Sequence, residues 1–211
     1  LLPEHLENRE TVAKRLGGHP LALQMHDEDS VLPESGSDLQ EWVREVVVSK
    51  LEDEIKALDE LSLLPVPVPP NYLQHEQHLL ELDDYALLRW FASGVELHHL
   101  VRNVRSTMLT KDDYASAANY WSQLDGDLAR LVEMHHVLNS EGDIESLLIR
   151  NAESLMIRSS SGLASLIGDA IFRPTEKLHR IAAMVAIERG EDEIASEHLS
   201  HCNAPDLEYS N

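Results

Sequence analysis

Ala86-Leu87-Leu88-Arg89-Trp90-Phe91-Ala92-Ser93-Gly94-Val95-Glu96-Leu97-His98 decides how the chain is read, because here the apolar residues alternate instead of recurring every three or four positions. Leu88 and Trp90 alternate with Arg89, Val95 and Leu97 alternate with Glu96 and His98, and Ala92-Ser93-Gly94 parts the two runs. That pattern predicts a β-hairpin with strands at 86–91 and 95–98. At the strand end the His98 side chain alternates away from Leu97, toward an open face where another domain could be met. A helix is predicted over 75–82 and another over 100–108, and helices, a hairpin and a helix in that order make a winged helix.

Upstream, Leu64-Pro65-Val66-Pro67-Val68-Pro69-Pro70 cannot be helical, since each proline removes an N–H and pushes its predecessor toward extended geometry. It reads as a stiff connector or an extended edge segment. Ser49 with Glu52 and Ser37 with Gln40 look like capping boxes. They open helices whose inward residues are Leu51, Ile55, Leu58 and Leu61 in one, and Trp42, Val43, Val46 and Val47 in the other. The acidic stretch 27–37, with Pro33 and Gly36, reads as an exposed loop. Before it, Val12, Ala13 and Leu16 share a face with Leu6 on a helix that stops at Gly17-Gly18, and Pro20 opens a short helix to about His26. The corner Gly17-Gly18-His19-Pro20-Leu21-Ala22-Leu23 presents helix-start N–H groups and a proline ring, which suit either a bound nucleotide or a plain helix-helix turn.

Downstream of Thr110 the pattern is helical throughout. Tyr114, Ala117, Ala118, Trp121 and Leu124 form one stripe; Leu128, Leu131, Val132 and His135 a second; Ile144, Leu147, Leu148 and Leu155 a third. Breaks at Asp125-Gly126 and Glu141-Gly142-Asp143 make neighbouring helices antiparallel, and Ser159-Ser160-Ser161-Gly162 reads as a weaker break or flexible turn. Leu178, Ile181, Ala182 and Val185 before Gly190, with Ile194, Ala195 and Leu199 after it, have the spacing of a tetratricopeptide hairpin, although the period earlier looks irregular. The fold class expected is therefore mainly α. A helical bundle over 1–48 comes first, then a winged helix with a small β-hairpin over 49–109, then tetratricopeptide-like helical hairpins over 110–211.

Two motifs in this order, Gly18-His19-Pro20-Leu21-Ala22 and Leu97-His98-His99-Leu100-Val101, resemble those of STAND signalling ATPases, the class holding NB-ARC switches and MalT-like regulators. In that class a Gly-Leu-Pro-Leu-Ala motif precedes a winged helix carrying Met-His-Asp, and superhelical arrays commonly follow. The resemblance implies that Gly18, His19 and Pro20 border the adenine and ribose of a nucleotide, and that His98 donates to the β-phosphate of ADP. ADP would then hold a closed state that ATP, with Mg²⁺ in the full-length protein, releases. Two positions depart from the pattern. His99 stands where the family has an acid, and His19 replaces the leucine of Gly-Leu-Pro.

A P-loop, Gly-x-x-x-x-Gly-Lys-Ser/Thr, does not occur in these 211 residues, so the chain is expected to catalyse nothing by itself, though the parent protein can be an ATPase. It opens at Leu1 in mid-pattern and is read as a fragment whose partner is an N-terminal P-loop domain of the same protein. Protein partners are expected at the helical repeats, with a homo-oligomer on activation as a further option. A formal net charge of -21 repels phosphate backbones and anionic lipid, so nucleic acid and membrane are not expected partners of this piece. One cysteine, Cys202, fits a reducing cytoplasm. His75 with His78, His135 with His136, and His198 with His201 and Cys202 have spacings that could hold a metal, but they lack a paired ligand set and are read as surface histidines.

Two alternatives belong to other classes: a winged-helix transcriptional regulator, and a tetratricopeptide-type interaction scaffold that binds no nucleotide. The first is disfavoured by the 100–108 helix, whose only basic residues are Arg102 and Arg105.

Overall fold

The computed structural model describes residues 8–16, 23, 26, 51, 53–170 and 175–202, leaving aside the side chains at 158, 159, 169 and 170. The chain divides into two compact units, Leu1–Leu109 and Thr110–Asn211. The expected corner at Gly17 to Ala22, the Trp42 helix and the Ser37 and Ser49 caps lie outside the described residues.

In the first unit, helix α1 (Arg9–Arg15) buries Val12, with Leu16 buried at its C-cap. Helix α2 (Ile55–Leu63) buries Ala57, Leu58, Leu61, Ser62 and Leu63, and the Ser62 hydroxyl donates to the Leu58 carbonyl at 2.7 Å. It starts later than a cap at Ser49 would place it, because Asp53 and Glu54 form a turn. The proline segment leaves the helix in extended geometry, and Val68 bridges Val95 with reciprocal N–H to carbonyl bonds of 3.1 and 2.8 Å. It is thus the extended edge segment the prolines demanded.

The helix expected over 75–82 begins as a 3-10 turn (Glu76–His78) and becomes α3 (Leu79–Asp84). Strands β1 (Leu88–Phe91) and β2 (Gly94–Leu97) pair antiparallel with Leu88 opposite Leu97 and Trp90 opposite Val95. Helix α4 (His99–Ser106) then buries Val101 and Val104 and packs on α2.

Gly94 belongs to the strand and not to the turn, which Ala92 and Ser93 make alone. Its φ is +140°, and a Cβ there would sit 2.2 Å from the carbonyl carbon and oxygen of Val68. Only glycine lets the proline-rich edge approach the hairpin so closely. Trp90 is the other departure from the alternation. It is 49% exposed, and its indole N–H donates to the Asp83 carboxylate at 2.9 Å, so it tops the rim of the hairpin instead of filling a core.

The described residues of the second unit form helices joined by short turns: α5 (Lys111–Trp121), α6 (Asp127–Asn139), α7 (Ile144–Ala170), α8 (Glu176–Glu188) and α9 (Asp192–Ser200). Each packs on its neighbour in sequence, the nearest-neighbour order of a stacked helical array. A true capping box opens α5, with the Asp113 N–H donating to the Thr110 hydroxyl and the Thr110 N–H donating to Asp113. Helix α6 lies between two partners and carries two buried faces. Leu131, Met134 and Leu138 join the core shared with α7 and α8, while Trp121 and Tyr114 of α5 ring His136. The buried histidine is therefore His136, not the His135 of the predicted stripe.

Helical hydrogen bonding runs through Ser159-Ser160-Ser161-Gly162, where a break was expected. The axis nevertheless bends there. A straight helix of this length would be about 40 Å long, yet Thr175, joined to Ala170 by a connection spanning at most about 18 Å, bonds Glu145 near the opposite end. Ile167 and Gly168 also share one groove with Ala182 and Val185. Unbroken apolar stripes on either side, Leu148-Ala152-Leu155 and Leu163-Leu166-Ile167, leave the serine and glycine run as the place of the bend. Counted this way, hairpins open at Lys111, Ile144 and Glu176, a spacing of about 33 residues, near the 34 of a tetratricopeptide repeat. These three openings are evenly spaced, where the sequence pattern looked irregular. Ile194 and Leu199, predicted inward, are 47% and 49% exposed, which leaves Ala195 as the buried apolar residue of α9.

Candidate functional site

Of the residues expected to meet a nucleotide, Gly18, His19 and Pro20 lie outside the described residues, and His98 is described. His98 stands at the junction of β2 and α4. Its N–H donates to the Leu87 carbonyl at 2.7 Å, carrying the hairpin pairing one residue beyond Leu97, and its carbonyl accepts the Arg102 N–H at 3.0 Å as the first turn of α4 begins. Both backbone groups are committed, so the His98 backbone is fixed by the hairpin on one side and the helix on the other. The ring is half-buried and lies tilted over His99 with centroids 4.6 Å apart. It makes no capping bond to the helix it precedes.

Two acids of α2 tie the surroundings of this junction together. Asp59 of α2 holds Arg105 of α4 through two contacts, Nη2 to Oδ2 at 3.1 Å and a close Nε contact. Glu60 accepts the N–H groups of Gln74 and His75 at 2.7 and 3.0 Å and meets the His75 ring at 3.0 Å. One of the two basic residues that a DNA-reading α4 would present is therefore spent inside the unit, and His75 is tied to a carboxylate. Asp59 and Glu60 went unnoticed in the sequence because two acids on a helix are indistinguishable there from a solvated face.

In the second unit His135 and His136 are neighbours in an aromatic group with Tyr114 and Trp121. His136 is fully buried with neither ring nitrogen hydrogen-bonded, and its pKa is lowered to about 3 by burial and then by the charge of His135. His198, His201 and Cys202 close α9, and the structure adds His179 of α8 to them. Among the described residues no group of three or more His, Cys, Asp or Glu side chains is arranged to hold a metal ion. Among the same residues no helix is long and apolar enough to cross a membrane.

No known family pattern matches this sequence, and comparison with curated proteins finds no match. The fold, however, has a solved counterpart. A crystal structure of a Signal Transduction ATPase with Numerous Domains (STAND) protein with a tetratricopeptide repeat sensor, from Pyrococcus horikoshii, is similar over 93% of this chain with a TM-score of 0.58 and 17% identity. The match takes in 32% of that protein's chain, so this chain spans about a third of it. At that identity the likeness is one of fold.

Proposed function

We propose that this chain is the regulatory part of an ATP/ADP-controlled signalling switch, in which the winged-helix unit gates nucleotide exchange and the helical repeats receive a signal or a protein partner. The observation that carries the reading is the placing of His98 at the hairpin-helix junction of a chain whose fold, over 93% of its length, is similar to a stretch of a STAND protein with a tetratricopeptide repeat sensor. The rest of the nucleotide site, a P-loop and its Mg²⁺, belongs in this reading to a preceding domain of the parent protein.

The energetics are those of differential binding. ADP held between that domain and His98 stabilises the closed arrangement by as much as it binds this arrangement better than the open one, and exchange for ATP removes the difference. A charge-assisted bond from an imidazole to a phosphate contributes about 1.5–3 kcal/mol. Pro20, on the corner that resembles the Gly-Leu-Pro motif, would pack against the base.

The test is ADP retention by the full-length parent, with Pro20→Ala and His98→Ala compared against the unaltered protein. Release is expected to quicken at least tenfold in each variant. Unchanged retention in both would leave the scaffold reading, in which the helical repeats bind proteins and no nucleotide is involved.

A further inference from the structure

The end of the second unit holds a cluster that the nucleotide reading does not use. His179 on α8 is buried, and its Nδ1 lies 3.1 Å from the Nδ1 of His198 on α9. The His201 ring stacks on His179 with centroids 4.5 Å apart and planes 20° from parallel. A contact between two imidazole nitrogens needs one proton between them, so that one ring donates and the other accepts. Two neutral rings satisfy it, and so does a charged ring beside a neutral one. Two charged rings put N–H against N–H and like charge against like charge.

Among the described residues, the groups facing the cluster do not cancel that repulsion. On α8, Glu176 is engaged by Arg180 at 2.5 Å. On α9, Glu197 favours a charge on His179, but burial and the charges of His201 and His198 oppose it and prevail, lowering its pKa. Cys202 lies against the Glu176 and His198 carbonyls. Glu191 shares a groove with His198 and is paired with Arg189, and among the described side chains of α7 that groove is lined by Ala164, Ile167 and Gly168. The apolar attachment of α9 is thin, because Ala195 is its buried residue while Ile194 and Leu199 stay half exposed.

We propose that His179, His198 and His201 form an acid-sensitive latch: neutral imidazoles hold α9 against α8, and a second proton in the cluster releases α9 and bares the face made by His179, Ala183 and Ala186. The sign follows from His179. Its pKa is lowered in the docked state, so docking is complete above the free imidazole value of about 6.5 and is lost as pH falls below it. The latch stands independently of any nucleotide role for the first unit.

The experiment is hydrogen exchange of the whole chain from pH 7.5 to 5, corrected for the intrinsic exchange rate, with α9 amides followed separately from those of α5 to α8. Protection of α9 is expected to fall by up to about tenfold per pH unit below 6.5, while α5 and α6 stay protected in a His136→Phe background, where their own response to acid is removed. His179→Phe keeps the stack and removes the central proton site, so in the same background its α9 protection should be flat with pH; should that variant fail to fold, His198→Phe leaves His179 buried beside His201 and should make the dependence shallower without abolishing it. α9 protection that is flat with pH in the His136→Phe background, or that falls there equally in α5 and α9, overturns the proposal. Loss of α9 protection at pH 7.5 on adding a chelator also overturns it, in favour of a bound metal.

Discussion

Ala86 and Gly94 bracket β1 and have opposite claims on their side chains. Ala86 sits at φ 57° where α3 ends, with the Leu87 N–H donating to the Leu82 carbonyl and the Ala86 N–H to the Asp83 carbonyl, a Schellman turn that glycine fills more comfortably. Ala86→Gly is expected to stabilise the chain by about 1 kcal/mol, whereas Gly94→Ala should cost at least about 2 kcal/mol by forcing Val68 off the hairpin. Urea unfolding curves of the two variants check both signs. His136 gives a residue-level dependence on pH. Its folded pKa, near 3, lies below the ordinary 6.5, so the unfolded chain takes the proton first and stability, complete above 6.5, drains away as pH falls. The slope approaches about 1.4 kcal/mol per pH unit, and His136→Phe should flatten it in denaturant titrations at pH 7, 6 and 5. The hairpin itself was legible, down to Val95 and Leu97 as inward residues. Gly94 was not, because its partner is the backbone of Val68, brought close by a chain reversal that no local pattern records.

Among the elements, the α5–α6 corner is held by one guanidinium. Arg130 donates to the carbonyls of Trp121 and Ser122 at 3.2 and 3.1 Å and to that of Leu124, closing the C-terminus of α5, and it pairs with the buried Glu133 of its own helix. Arg130→Met should destabilise the unit by about 3 kcal/mol, because Glu133 is left buried without its partner. Adding Glu133→Leu should recover a large part of that loss, and a double-mutant cycle read by thermal unfolding measures it. Periodicity placed helices over α5, α6, α8 and α9 and over the first half of α7, whose continuation past Ser159 it did not foresee. It misjudged which faces were inward wherever a helix is covered on two sides, as α6 is, or on hardly any, as α9 is. A single stripe cannot announce how many neighbours will come to meet it.

At the scale of the molecule, the formal charge of -21 and a pI near 4.8 make self-repulsion a standing cost of compactness at neutral pH. Added sodium chloride shortens the reach of that repulsion to a few ångströms, so the unfolding temperature should rise by about 2–4 °C between low and high salt. A fall would mean that attractive pairs such as Asp59 with Arg105 outweigh the general repulsion. The bend within α7 has its own consequence for how this protein tolerates change. Its middle hairpin turns without any free strand of backbone, so extra residues placed there have nowhere to bulge and must lengthen one arm or the other. Length variation among relatives, and cutting by a protease, should instead gather at Asp125-Gly126 and at Gly190, where the chain already steps out of its helical bonding.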